Sequence, residues 1–262
     1  MKTSDRVTTP GWVLAVSLIF AAAAFLPMTT EASDAALPGD IVLGDSIEFG
    51  IGSTTGGGYV VPFHAYLEAV FGSAVDFHNL SEPGAETKDI QIEQLHEALV
   101  EVQNHRPHGV VITWGGGGDD LLHFIQSPAA VTCLHVQSCL ARINALLNEA
   151  EQHVDVTLKR LRALAPDGTI LVRTQYNPLL KFGCDPNNQA LLATAALEGT
   201  APPLRGLNPR LRDLAAKYDA NVVDIFGPFF VLPDLLIDAD CIHPNDFGYA
   251  LILGIAISAF GP

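Results

Sequence analysis

Ser46, Asp240 and His243 are the residues of this chain whose types and spacing could do covalent chemistry. A serine hydroxyl is a weak nucleophile until a base takes its proton. Imidazole is such a base, and a nearby carboxylate can orient it. Ser46 follows the apolar run Ile41-Val-Leu43 and the pair Gly44-Asp45. That pattern reads as a buried strand handing a serine to the loop beyond its carboxyl end, where open α/β sheets bind ligands. Asp240 and His243 stand three apart near the end of the chain. Taken singly, Ser46 reads as a turn residue and His243, before Pro244, as the start of a helix. Two glycine-bearing segments supply what the three lack. Asn79-Leu-Ser-Glu-Pro-Gly84 and Gly115-Gly-Gly-Gly-Asp-Asp120 also come after expected strands. The backbone N–H groups of Ser46 and Gly84 are candidate donors to a developing oxyanion, and glycine suits a close backbone approach.

The elements that must position these residues alternate between strand and helix. Strands are expected at Asp40 to Leu43, Val75 to Asn79, Val110 to Trp114, Thr169 to Thr174 and Asn221 to Ile225. Helices are expected at Pro62 to Phe71 and from a Thr87 cap with a stripe of Ile92, Leu95, Leu99 and Val102. Others should run from Ala141 to Leu164, from Asn208 to Tyr218, and from Pro244 to about Phe260. Unbroken apolar strands alternating with helices imply a parallel sheet covered on both faces. Five strands suggest a flavodoxin-like three-layer α/β/α fold in the order 2-1-3-4-5. The loops after strands one, two and three then meet in one crevice. Ser127 to Cys139 and Lys181 to Gly206 read as irregular excursions.

The chain has 262 residues, 48% of them apolar, enough for one α/β domain with a full core. Residues 1–35 read as a secretory signal, with basic Lys2 and Arg6, an apolar run from Trp12 to Leu26 and small residues at Ala32 to Ala35. An uncleaved anchor is the alternative, but the run is short for a membrane span. The domain then covers residues 36–262, and the protein is expected outside the cytoplasm with no stable membrane insertion once the signal is removed. The net charge of −15 argues against nucleic acid and anionic membrane surfaces as partners. Four cysteines in an exported chain suggest disulfides. Of three pairings, the short spacing of Cys133 and Cys139 favours that pair, which leaves Cys184 with Cys241. No CxxC occurs, and no histidine pair has metal-ligand spacing with a carboxylate. Gly115 to Gly118 lacks the G-K-[ST] of a phosphate loop, and the G-x-S-x-G of an α/β-hydrolase elbow is absent. Asn79-Leu-Ser81 is a formal glycosylation sequon that a buried strand end would leave unused.

From Asp40 onward the chain resembles the SGNH (GDSL-type) serine hydrolases. Gly44-Asp45-Ser46, the N-x-x-x-x-G segment from Asn79 to Gly84, and Asp240-Cys-Ile-His243 match three of the family's blocks in order. The resemblance implies Ser46 as nucleophile, His243 as base, Asp240 as its partner and Gly84 in the oxyanion hole. The remaining block departs. Where the family carries an asparagine whose amide donates to the oxyanion, alignment on Asp120-Leu-Leu122 places Asp119; a register one residue earlier places Gly118. A carboxylate there opposes catalysis, whereas a protonated carboxyl donates. The expected activity is hydrolysis of carboxylic esters through an acyl-enzyme, by a monomer without metal or organic cofactor. The substrate is a small-molecule, lipid or sugar ester. Phe49, Trp114 and Phe124 near the crevice favour an acyl chain, and Phe226, Phe229 and Phe230 read as core or rim. The rivals are a carbohydrate deacetylase and a non-catalytic binding protein on the same scaffold.

Overall fold

The computed structural model describes residues 37–261 apart from 128, 129, 131, 132, 134–136, 202 and 203. The expected signal segment lies outside the described residues, as does part of the stretch from Ser127 to Cys139. Five strands form one parallel sheet: β1 (Gly39–Leu43), β2 (Asp76–Asn79), β3 (Val110–Trp114), β4 (Thr169–Arg173) and β5 (Asn221–Val223). Their order is β2-β1-β3-β4-β5, as the sequence predicts. The order reverses between β1 and β3, so the carboxyl ends of these strands open onto the crevice that such a switch creates.

Side chains alternate across each strand, and the two faces build two cores. Ile41, Leu43, Ile112, Trp114, Ile170 and Val172 face one layer. That layer holds α4 (Leu95–His105), α5 (Gly118–Ile125), α6 (Gln137–Leu164), α7 (Ala190–Glu198) and α8 (Leu207–Lys217). Val42, Val111, Leu171 and Val223 face the other layer, which holds α2 (Val60–Phe71), α9 (Phe226–Val231) and α11 (Asp246–Phe260). The Ser46 loop carries the short α1 (Ser46–Phe49), and α10 (Pro233–Leu236) precedes the Asp240 loop.

Three differences from the sequence reading have physical causes. The helix expected from a Thr87 cap is capped by Glu86 instead; it begins as α3 (Thr87–Asp89), passes through a π-helical turn (Ile90–Gln94) and continues as α4. The extra residue of a π-turn rotates everything before it, so Ile90, Leu95, Ala98 and Val102 are buried while Ile92 is 60% exposed. The stretch expected to be irregular, Lys181 to Gly206, contains α7 and a two-stranded antiparallel ribbon, Thr200–Ala201 with Leu204–Arg205. Its helical run Ala190-Leu-Leu-Ala-Thr-Ala-Ala-Leu-Glu198 is made of strong helix formers. Finally, α5 forms directly after the glycine run, where the sequence reading placed only a loop.

Candidate active site

Each residue of the Ser46 loop has a local task. Asp45 caps α1, its Oδ1 accepting the Ile47 N–H at 2.9 Å, while Glu48 reaches back to the Asp45 N–H at 3.4 Å. Ser46 is the first residue of α1, so its N–H belongs to the turn whose amides have no intrahelical carbonyl. Gly44 and Gly115 flank the Glu48 carboxylate. A Cβ on Gly44 would stand 2.5 Å from Glu48 Oε2, and one on Gly115 would stand 2.1 Å from Oε1. The absence of side chains at both positions is what lets Glu48 turn inward beneath the serine.

That inward carboxylate meets Arg173, which ends β4 and is fully buried. Arg173 Nε and Nη2 donate to Glu48 Oε1 and Oε2 at 2.5 and 3.0 Å, and Nη2 approaches Asp45 Oδ1 at 3.5 Å. The Tyr59 hydroxyl also donates to Glu48, at 2.9 Å, beside the Asp45 N–H and the two Arg173 groups. Burial raises the Asp45 carboxyl above its ordinary range, Arg173 opposes that rise and Glu48 adds to it. Gln94, presented by the π-turn, closes the loop from the opposite face. Its Oε1 accepts the Gly44 N–H and its Nε2 donates to the Gly44 carbonyl, each at 2.8 Å.

The structure brings Ser46, His243 and Asp240 into one hydrogen-bonded chain. His243 Nε2 lies 2.9 Å from Ser46 Oγ, and His243 Nδ1 lies 2.5 Å from Asp240 Oδ2. Asp240 Oδ1 accepts the backbone N–H groups of Ile242 and His243 at 2.9 and 3.0 Å. Burial raises the Asp240 carboxyl, but these bonds outweigh it and hold the group below the ordinary carboxylate range. The turn between them places Cys241 at φ 64°, a left-handed conformation uncommon for a residue with a side chain. Cys241 is joined to Cys184, and Cys133 is joined to Cys139. The Tyr176 hydroxyl donates to the Ile242 carbonyl, and Lys181 Nζ donates to the carbonyls of Ile237 and Asp238 at 2.6 and 2.9 Å. The segment after β4 therefore holds the histidine loop by both a covalent and a polar route. Such an array gives the serine proton an acceptor, and it fixes the imidazole with Nδ1–H toward the carboxylate.

The donors expected around the serine sit less uniformly. Gly84 lies after β2 with φ 82°, in a loop tied down by the Glu82 N–H donating to the Gly44 carbonyl at 3.2 Å. It does not line the main cleft. Asp119 does, together with Ser46 and Gly118. Asp120 turns away, its carboxylate accepting the Thr87 N–H at 2.9 Å and the Thr87 hydroxyl at 2.6 Å. Burial raises the Asp119 carboxyl; His123 lowers it, Asp120 raises it and His243 lowers it, in decreasing order of effect. The Asn79 amide donates to the Glu48 carbonyl at 3.2 Å, and its Oδ1 accepts the Ser81 N–H and hydroxyl.

The cleft beside Ser46 is an open one of about 610 Å³, the solvent space at its mouth included. Its apolar wall comes from Leu121, Leu122 and Ile125 of α5, Leu179, and Ala193 and Leu197 of α7. The aromatic residues expected there are elsewhere. Trp114 and Phe124 are packed in the core between the sheet and its helices, and Phe49 is 49% exposed on the surface. A strand-end tryptophan points to the face its parity dictates, here into the helical layer. Phe229 is buried against Tyr176, whereas Phe230 is half exposed beside Phe226. Gln175, missed by the sequence reading, also lines the cleft. Its Nε2 donates to the Gly116 carbonyl at 2.6 Å, and its backbone is paired with the Asn208 amide. The signal for it was a polar run, Arg173-Thr-Gln-Tyr-Asn177, at the end of an otherwise apolar strand. Among the described residues, no helix is long and apolar enough to cross a membrane.

Similar architecture occurs in solved structures. A lipase from a goat rumen metagenome is 20% identical with a TM-score of 0.65, the match covering 85% of this chain and 97% of that one. A phospholipase A1 from Streptomyces albidoflavus is 19% identical with a TM-score of 0.59, over 86% and 100% of the two chains. An extracellular lipase from Streptomyces rimosus is 20% identical with a TM-score of 0.59, over 85% and 99%. No curated protein matches the chain in sequence. The sequence profile of the GDSL-like lipase/acylhydrolase family matches residues 42–251, from the middle of β1 into α11. The chain belongs to that family, and it is a carboxylic ester hydrolase.

Proposed function

We propose that the protein is an exported serine esterase that releases fatty acyl groups through an acyl-enzyme on Ser46. The observation that carries this reading is the bonded chain Ser46–His243–Asp240 at the mouth of an apolar cleft. His243 takes the Ser46 proton as Oγ attacks the ester carbonyl, and Asp240 stabilises the imidazolium that forms. The same imidazolium protonates the leaving alcohol. His243 then draws a proton from water, which attacks the acyl carbonyl, and Ser46 leaves with that proton restored. The Ser46 and Gly84 backbone N–H groups serve as oxyanion donors, with Asp119 at the position of a third. The reaction uses no metal or organic cofactor.

The cleft favours an acyl chain over a sugar. Its lining is mostly aliphatic, with few polar side chains, and the Asn177 amide among them is already bonded to α7. A carbohydrate would need donors and acceptors along its length. Two disulfides are compatible with an oxidising compartment, and residues 1–35 supply the address. The test is a series of p-nitrophenyl esters of increasing chain length, with acetylated xylan alongside. Medium or long acyl chains should give the highest kcat/KM, Ser46→Ala should lose roughly a thousandfold or more, and Ala193→Trp should move the optimum toward acetate. A preference for acetylated xylan replaces the acyl-chain reading with the deacetylase. Failure of the folded wild type to react with a fluorophosphonate replaces both with the binding protein.

A further inference from the structure

The chain carries a second cluster of reactive side chains at the opposite end of the sheet from Ser46. Asp76 and His78 are alternate residues of β2, and Glu101 and His105 are one turn apart on α4. Strand parity puts Asp76 and His78 on one face, and helical spacing puts Glu101 and His105 on one face. β2 and α4 turn those faces toward each other. His78 Nε2 lies 3.3 Å from Asp76 Oδ2 and 3.5 Å from Glu101 Oε2. His105 Nε2 lies 3.4 Å from the same Asp76 oxygen and 3.7 Å from the same Glu101 oxygen.

We infer that Asp76, His78 and His105 form a structural binding site for a divalent transition metal, with zinc the best match. Ligand atoms about 2.1 Å from one tetrahedral ion stand about 3.4 Å from each other. Asp76 Oδ2 lies 3.3 and 3.4 Å from the two imidazole nitrogens, near that edge length, and the ligand atoms of the three residues all lie within 4.8 Å of one another. Glu101 stands beside both imidazoles, outside that set, and adds a second negative charge. This mixed nitrogen and oxygen set of three suits zinc, with water as its fourth ligand.

Two further features fit ligation better than a chance meeting of polar groups. His105 Nδ1 lies 2.8 Å from the Leu37 carbonyl, which can only accept, so Nδ1 carries a proton and Nε2 is the nitrogen that a metal can take. A metal-bound histidine is commonly oriented by such a carbonyl. His78 Nε2 is buried and makes no hydrogen bond of acceptable geometry among the described residues, a cost that a metal bond removes. Room for His105 is made by Gly39, where a Cβ would stand 2.8 Å from the imidazole. The sequence reading passed over these histidines because His78 and His105 meet only through the pairing of a strand with a helix. A metal here would clamp the edge strand β2 to α4 and, through His105, to the segment at Leu37.

Untagged protein, stripped with EDTA and dialysed, is titrated with Zn2+ by calorimetry and with Co2+ by visible absorption. One Zn2+ per chain is expected, with the intense bands of four-coordinate Co2+ and a Tm raised by Zn2+. Asp76→Asn and His78→Ala should each weaken Zn2+ at least about tenfold, whereas His96→Ala, on the exposed side of α4, should not. Circular dichroism confirms that each variant folds, and Asp76→Asn tests the site should His78→Ala unfold. Wild type without stoichiometric Zn2+, octahedral-type weak Co2+ spectra, or full binding by folded Asp76→Asn overturns the inference.

Discussion

The Gln94 side chain satisfies both main-chain groups of Gly44, accepting its N–H and donating to its carbonyl at 2.8 Å each. One side chain thus pairs both groups as β1 ends, and the segment after β2 gives the carbonyl a second donor in the Glu82 N–H. The π-turn sets the side chain's height. Replacing Gln94 by Leu leaves the buried Gly44 N–H unpaired and its carbonyl with the Glu82 N–H alone. A loss of about 1–3 kcal/mol is expected, with a lower kcat because the Ser46 loop is freed. Urea unfolding measures it as a lower midpoint at unchanged m. An unchanged midpoint means that water or a shifted backbone satisfies Gly44.

Beneath the same loop, Arg173 compensates Glu48 and Asp45 in a region from which water is excluded. Arg173→Met should destabilise the protein by about 3–5 kcal/mol, because it strands a buried carboxylate. Glu48→Leu alone should also be costly, since it strands the guanidinium. The double variant should be far less damaged than the two single losses added together. A double-mutant cycle in urea reads the coupling directly. Additive losses would mean that the pair is not the unit holding this loop.

These two relationships mark where sequence legibility ended. Ser46, Asp240 and His243 were legible because each lies in a short local motif beside a strand end or in a tight turn. The sheet was legible because its central strands β1, β3 and β4 are buried and largely apolar, with the polar β2, Asp76-Phe-His-Asn79, as a half-exposed edge. Gln94 was not, since its partner is 50 residues away and a π-turn alters the helical phase on which periodicity relies. Glu48 and Arg173 lie 125 residues apart, and a glutamate in a turn carries no mark that it points inward. The cleft wall was misplaced for a related reason. Large aromatics drew attention to Trp114 and Phe124, but the wall is built by aliphatic residues of two helices that the sequence reading had left as loop.

Asp240 links activity to acid stability. Its folded carboxyl is held below the ordinary value, so its contribution to stability is present above the unfolded aspartate pKa. That contribution is lost as pH falls through the depressed folded value. Asp240→Asn should therefore be less stable than wild type at neutral pH, with the gap closing in acid. At neutral pH its kcat should fall by roughly 10³–10⁴, because the imidazole loses its orienting charge. Thermal unfolding and ester turnover, each followed from acid to neutral pH, check both parts. A gap that stays constant into acid rules out the linkage.

Asp119 carries the last prediction. It and Asp120 are adjacent carboxylates with different surroundings: Asp120 is engaged by Thr87, while Asp119 lines the cleft with Ser46. Burial raises the Asp119 carboxyl, so its neutral form survives to higher pH than in an ordinary aspartate. Neutral, it can donate to the oxyanion; ionised, it repels one. The loss of a single oxyanion donor costs about 3 kcal/mol of barrier. In wild type, kcat should therefore fall as Asp119 ionises, separately from the limb set by His243. Asp119→Asn preserves the shape and supplies a permanent amide donor, so its kcat should exceed wild type wherever Asp119 is ionised. The sign for stability is parallel. A raised folded carboxyl makes stability fall as pH climbs from the unfolded aspartate pKa through the folded value, and the deficit persists above it. Asp119→Asn lacks that deficit, so its Tm advantage should be absent in acid and present at neutral pH. Both quantities are measured against pH on one soluble ester, with folding verified at each point. An Asp119→Asn enzyme that is slower at every pH, yet shows the Tm advantage, means that the carboxyl is buried as described but does not face the oxyanion. The Ser46 and Gly84 backbone N–H groups would then make the oxyanion hole without it.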